Sequence, residues 1–160
     1  MRFICRTRAA SLVMAVLLAW AGVAMATSVE PMALDAMLER ADHVVVGTVT
    51  GVEMVDGRGR AVHDASARTG PGLTNRMYLV VQVNEVLRST ETNLPSTIRV
   101  PLWSMWHYSL GGIREAAQGS EGIFLLTGAH FEPAYPSGFQ RGLEEREAVQ
   151  ALLGGGKPAR

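Results

Sequence analysis

A chain of 160 residues is enough for one domain with one core, and its 15 basic side chains balance its 15 acidic ones. No basic face or cluster stands out, which argues against a nucleic-acid binder or a protein held on an anionic membrane. A single cysteine, Cys5, excludes an internal disulfide framework and a metal site built on several cysteines.

The chain opens with the layout of an export signal. Arg2, Arg6 and Arg8 form a positive start, Ala9 to Val23 is apolar, and Ala24-Met25-Ala26 supplies a small-x-small cleavage site. Residues 1–26 are therefore expected to be a signal peptide removed before Thr27. An uncleaved anchor is the competing reading, because the apolar run approaches the length of a membrane span. The alanine-rich run and the cleavage triplet favour removal. Cys5 lies ahead of the apolar run and cannot take a lipid at the cleavage point, and Arg6-Thr7-Arg8 is no twin-arginine pair, so the general secretion route is expected. The mature chain carries 12 basic against 15 acidic side chains and no thiol. A bacterial periplasm or secretion to the outside fits it, with no stable membrane association after cleavage.

In the mature chain, Met32 to Arg40 places Leu34, Met37, Leu38 and Ala41 at helical spacing behind Pro31, a residue suited to a first turn. Ala41 to Glu53 follows, with five valines in nine residues. Valine is stiff at its first torsion and packs well on a pleated surface, so this stretch predicts a strand buried on much of both faces. Residues 54–76 hold Gly57, Gly59, Gly70, Pro71 and Gly72 without periodicity and read as a long flexible loop.

Met77 to Arg88 alternates, with Met77, Leu79, Val81, Val83 and Leu87 on one face, as in a half-buried strand. After a turn over Ser89 to Ser96, Thr97 to Leu102 alternates again, and Pro101 marks an edge or a strand end because it has no N–H. Trp103 to Gln118 reads as a crossover loop, Gly122 to Thr127 as a buried strand, and His130 to Tyr135 as a further strand. Leu143 to Leu153 carries a helical stripe that Gly154-Gly155-Gly156 ends, leaving a disordered tail over 154–160. The expected fold is mainly β: a small five-stranded OB-like Greek-key barrel spanning 27–153, with a short helix at its start and another at its end.

Three stretches together carry a resemblance: Ala41-Asp-His-Val-Val-Val-Gly-Thr-Val49, then Tyr78-Leu-Val-Val-Gln-Val-Asn-Glu-Val-Leu-Arg88, then Ile98-Arg-Val and Gly122-Ile-Phe-Leu-Leu126. In this order they resemble a group of uncharacterised exported bacterial proteins with the opening strand "AD-x-VVVGTV". More distantly, the chain is similar to the OB-fold module of tissue inhibitors of metalloproteinases and netrin-like domains. The likeness spans Ala41 to Thr127 and rests on strand patterns, so it implies an OB-type fold and carries no functional residue over. Those inhibitors reach a protease zinc through an N-terminal cysteine, whereas the expected mature chain here begins at Thr27 and holds no cysteine. Ser89 stands where the pattern has glycine.

The most unusual segment is Trp103-Ser-Met-Trp-His-Tyr108. Trp103, Trp106 and Tyr108 could form an aromatic platform with His107 as a polar contact, or they could plug one end of the barrel. The histidines His43, His63, His107 and His130 show no metal-ligand spacing, and no serine lies in a nucleophile elbow. Glycine pairs do not follow the strand–loop–helix order of a phosphate site. The expected function is a non-enzymatic binding module without catalytic residues, metal or cofactor. Its contact surface would be Trp103, Trp106, His107 and Tyr108, and its partner another periplasmic or envelope protein. Two other classes stay open: a metal-dependent hydrolase built from His63, Asp64, His107 and His130, and a structural subunit docked through Leu143 to Leu153.

Overall fold

β1 (His43–Val55) is the strand on which the others are laid. Its opening half is buried on both faces, while from Thr48 onward burial alternates with exposure at Thr50 and Glu53. The computed structural model describes residues 29–155, so the expected signal peptide, Cys5, the expected cleavage point before Thr27 and residues 156–160 lie outside it. Within the described residues the order is α1 (Leu34–Arg40), β1, β2 (Arg76–Ser89), β3 (Thr97–Pro101), α2 (Leu110–Ala117), β4 (Glu121–Thr127), β5 (Glu132–Pro133), β6 (Gln140–Arg141), a single 3-10 turn (Leu143–Glu145) and α3 (Arg146–Leu153).

All strand pairs are antiparallel, and the sheet runs β3-β2-β1-β4-β5, with β6 bonded to β4 beside β5. Its core is built from β1 and β2 valines and methionines, Ile98 and Val100 of β3, and the run Ile123 to Leu126 of β4. Each fully buried side chain of this kind contributes roughly 1.5–3 kcal/mol relative to exposure. The β1–β2 ladder slips at three places, between Val44 and Val45, Val46 and Gly47, and Val49 and Gly51. Each slip inserts an extra residue, which bends the strands and increases their twist, so two long strands curl instead of lying flat. At the bend Gly47 faces Gly122 across β1 and β4. A Cβ on Gly47 would sit 2.6 Å from Val81 Cγ1 and 2.8 Å from the Gln82 carbonyl oxygen; one on Gly122 would sit 2.7 Å from the Arg141 carbonyl oxygen. Both glycines are there because other strands come too close for a side chain.

The helices close the ends. α1 packs against α3 and β4, and the Arg88 guanidinium donates to the carbonyls of Leu38 and Ala41 at the C-terminal end of α1. Arg146 at the start of α3 donates to both carboxylate oxygens of Glu85 on β2, at 2.7 and 2.8 Å. α2 packs on β1, and its Arg114 Nε donates to Val52 O.

Several expectations change. The strand expected over His130 to Tyr135 is only Glu132–Pro133, and the helix expected over Leu143 to Leu153 is a 3-10 turn followed by a helix from Arg146. The first helix starts at Leu34 rather than Met32. The stretch Trp103 to Gln118 is not loop throughout: Ser109 accepts a hydrogen bond from Gly112 N and caps α2, which presents Leu110 inward. The five-stranded barrel is an open sheet of short and long strands. β5 comes to lie beside β3, but no hydrogen bond joins them among the described residues. The physical reason is proline at the joint. Pro101 ends β3 and Pro133 is half of β5, and neither can donate to a ladder.

Residues 56–75 make many local bonds. Asp56 Oδ1 accepts from Arg58 N and Arg60 N, and Oδ2 from Arg60 Nε; these bonds, that of the Arg60 amide first, hold the carboxyl below its usual range. Farther on, Leu110 N bonds Ala67 O, Gly111 N bonds Ala65 O and Thr69 N bonds Tyr108 O, which ties the loop to the start of α2.

Candidate functional site

A cleft of about 920 Å³ opens where the edges of β3 and β5 fail to join. Its size is near the top of the usual range for binding pockets, roughly 300–1,000 Å³. One wall is the start of β2 and all but one residue of β3; the other is the turn from β4 into β5. Aromatic and charged groups face each other across it. Tyr78, Arg99 and Trp103 stand on the first wall, and His130, Phe131 and Glu132 on the second.

The first wall is built by strand alternation. Arg99 and Tyr78 lie on the outer face of β3 and β2, and the Arg99 guanidinium carbon sits 4.3 Å from the centre of the Tyr78 ring. Its Nη2 is also 2.9 Å from Glu53 Oε2 on β1. Both partners are about half exposed, so this ion pair is weak and open to exchange with another carboxylate. Arg76 adds a second positive charge at the mouth, with no ion pair among the described residues.

The second wall is positioned by Asp42 and His43, where β1 begins. Asp42 Oδ2 accepts from the Gly128 amide and the Thr127 hydroxyl, each at 2.7 Å. Those two bonds, the amide first, hold the Asp42 carboxyl below its ordinary value, with smaller help from the charges of His43 and Arg88. The turn so fixed puts Phe131 at φ 54, the left-handed region that a side chain disfavours by about 1–2 kcal/mol. Phe131 N donates to Gly128 O, and its ring lies 5.3 Å from that of the buried His43, whose Nδ1 is 3.0 Å from Ser89 Oγ. A strained aromatic residue at a cleft wall is held there by its surroundings.

The aromatic segment expected as one surface is divided. Trp103 is 37% exposed and lines the cleft together with Ser104. Trp106, His107 and Tyr108 do not line it. Trp106 stands edge-on to Trp103 at 5.4 Å and to Tyr108 at 5.9 Å, so the three rings form a continuous ladder running from the cleft rim toward the core. Tyr108 packs on that core, and burial pushes its phenol pKa up. His107 lies against Gly70, where a Cβ would meet its ring at 2.3 Å. The buried Thr69 holds this end of the ladder: its hydroxyl donates to Trp106 O at 2.9 Å and accepts from Tyr108 N at 3.3 Å.

The other histidines are scattered. His130 is in the cleft, while Asp64 beside His63 is engaged by the amide and hydroxyl of Ser66. No three His, Cys, Asp or Glu side chains among the described residues are arranged to hold a metal ion. Nor is any described helix long and apolar enough to cross a membrane. Comparison of the chain with protein-family models, with curated proteins and with solved structures finds no match.

Proposed function

We propose that this chain is an exported binding module, an OB-type barrel left open at one joint, that receives a segment of another periplasmic or envelope protein. The observation that carries the reading is the cleft on the β2–β3 side, with the half-exposed Trp103 and Arg99 on its wall. OB barrels are five-stranded and partly open, and they bind their ligands on the face of strands 2 and 3. The ring of neighbours β1-β2-β3-β5-β4, with α2 between β3 and β4, supports that assignment, as do the bulges that curl β1 and β2. Export rests on the leader sequence. The likeness to exported bacterial proteins and to netrin-like modules agrees with both. With no cysteine from Thr27 onward, the zinc-directed inhibition of metalloproteinase inhibitors stays out of the proposal.

Trp103 rather than the whole segment to Tyr108 is then the contact residue, with Trp106 behind it. The test is a pull-down from periplasmic extract using wild type, Trp103→Ala and Thr50→Ala, the last an exposed position on β1 that does not line the cleft. A partner kept by wild type and Thr50→Ala and lost by folded Trp103→Ala is expected. Equal capture by all three, or no capture by wild type, refutes the assignment. Sequencing of the exported protein should begin at Thr27; an intact leader refutes export by cleavage.

A further inference from the structure

The hydrogen-bonding pattern of β3 says which kind of ligand its edge can take. Val83 N donates to Ser96 O and Leu102 N to Met77 O, so residues 96 and 102 turn their backbone groups toward β2. With the register Val81↔Ile98 and Leu79↔Val100, alternation assigns Ile98 and Val100 to the same side. Thr97, Arg99 and Pro101 therefore turn theirs outward. The free edge offers N–H and C=O at Thr97 and at Arg99, and C=O alone at Pro101. None of these groups has a hydrogen-bond partner among the described residues. A row of donors and acceptors repeating every second residue is the complement of one chemical object, an extended polypeptide.

Given the cleft as the binding site, we infer that its ligand is an extended strand of a partner protein, added antiparallel to β3 with a carboxylate opposite Arg99 between two apolar residues. Residues directly opposite in a ladder share a face. The residue opposite Arg99 exchanges both backbone bonds with it and points to the outer face, where Arg99 and Tyr78 lie and Arg76 stands at the mouth. A carboxylate there exchanges with Glu53, whose pair with Arg99 is half exposed. Its two neighbours point to the opposite face, that of the buried Ile98 and Val100, and are therefore apolar.

A second copy of this chain does not fit the same edge. Pairing β3 with itself about Arg99 sets two guanidiniums opposite each other and puts Thr97 against Pro101, which has no N–H. A strand running antiparallel to β3 also runs antiparallel to β5, since β3 and β5 share a direction through four antiparallel steps. The carbonyl of Pro133 then faces its far side, because Ala134 N bonds Leu125 O and the register sets Pro133 out of phase.

The test is selection of random heptapeptides on the purified full chain, with Arg99→Glu in parallel. Arg99 is half exposed, so the charge reversal leaves the core untouched. Wild type should enrich peptides with Asp or Glu flanked by apolar residues, and Arg99→Glu should replace that acid with Lys or Arg. N-methylation of the acidic residue removes its donor to Arg99 O and should weaken binding by about tenfold or more. N-methylation of the next residue, whose N–H points away from β3, should cost less. No enrichment, enrichment without this alternation, or equal binding of both methylated peptides overturns strand addition. So does a dimer in light scattering whose contacts map to β3. In each of these cases the cleft itself is judged by the Trp103→Ala pull-down, which needs no assumption about the backbone.

Discussion

Replacing Gly47 and Gly51 by alanine should change stability in opposite directions, although both lie in β1 four residues apart. A Cβ at Gly47 meets Val81 Cγ1 at 2.6 Å and the Gln82 carbonyl at 2.8 Å. The second contact is backbone inside the β1–β2 ladder and cannot swing aside as a side chain can, so the strands must part. Overpacking of this kind costs about 1–3 kcal/mol. The lost freedom of glycine in the unfolded chain returns only about 0.4–1 kcal/mol. The two leave Gly47→Ala destabilised by roughly 1–2 kcal/mol, and at about 4 °C per kcal/mol for a domain of this size Tm falls by roughly 4–8 °C. At Gly51 the nearest atom to a new Cβ is Val80 Cβ at 3.9 Å, an ordinary contact. Only the unfolded-state effect remains there, and Gly51→Ala should be neutral or stabilised by up to about 1 kcal/mol. Urea unfolding of both variants decides it. If Gly47→Ala is as stable as Gly51→Ala, the close approach of β1 and β2 at the bend is wrong, and with it the account of how the sheet curls.

Three further changes probe the parts that frame the cleft. The Asp42 carboxyl is held below its ordinary 3.8, so its contribution is present above that pH and is lost as pH falls through the lower folded value. Asp42→Asn should therefore lower Tm at pH 7 and approach wild type below about pH 4, the unfolded range of the carboxyl; a constant gap in Tm across that range would contradict the role given to the charge. Thr69→Val keeps the shape and removes a hydroxyl that serves Trp106 O and Tyr108 N inside the protein, at a cost of about 1–3 kcal/mol. Faster hydrogen exchange at the Tyr108 amide should accompany it, and unchanged exchange would mean that the loop over 54–76 moves independently of the aromatic ladder. Arg88→Met should lose about 1–3 kcal/mol in chemical unfolding, because one guanidinium nitrogen donates to both Leu38 O and Ala41 O and methionine leaves both carbonyls at the end of α1 without that donor; unchanged stability would contradict the role given to Arg88.

The framework was readable from residue pattern because strand burial follows alternation. The valines of β1, the inward row Met77, Leu79 and Val81, and the pair Ile98 and Val100 are buried where the period of two puts them. α2 was hidden because Gly111 and Gly112 fill its first turn, and two glycines there argue against a helix. The signals that could have found it were Ser109 as a cap and the spacing of Leu110, Ile113 and Ala117. The barrel joint is open at Pro101 and Pro133: the alternation of Thr97 to Leu102 points to Pro101 as an edge, whereas the pattern of His130 to Tyr135 suggests a full strand and hides the break at Pro133. The cleft was less legible still. Its walls come from residues near 76–78, 97–104 and 129–136, and no spacing along the chain brings these together. In sequence Trp103 stands out only with Trp106, His107 and Tyr108; the fold of the segment sends one ring to the cleft and the others inward.

Site-specific photocrosslinking in living cells tests most directly whether the open joint is where a partner docks. A photoreactive phenylalanine analogue would replace Trp103 on one wall, His130 on the other, and Val86, an exposed residue of β2 that does not line the cleft. The account predicts one adduct of the same mass from Trp103 and His130 and none from Val86. Adducts from Val86 alone, or different partners from the two walls, would contradict it.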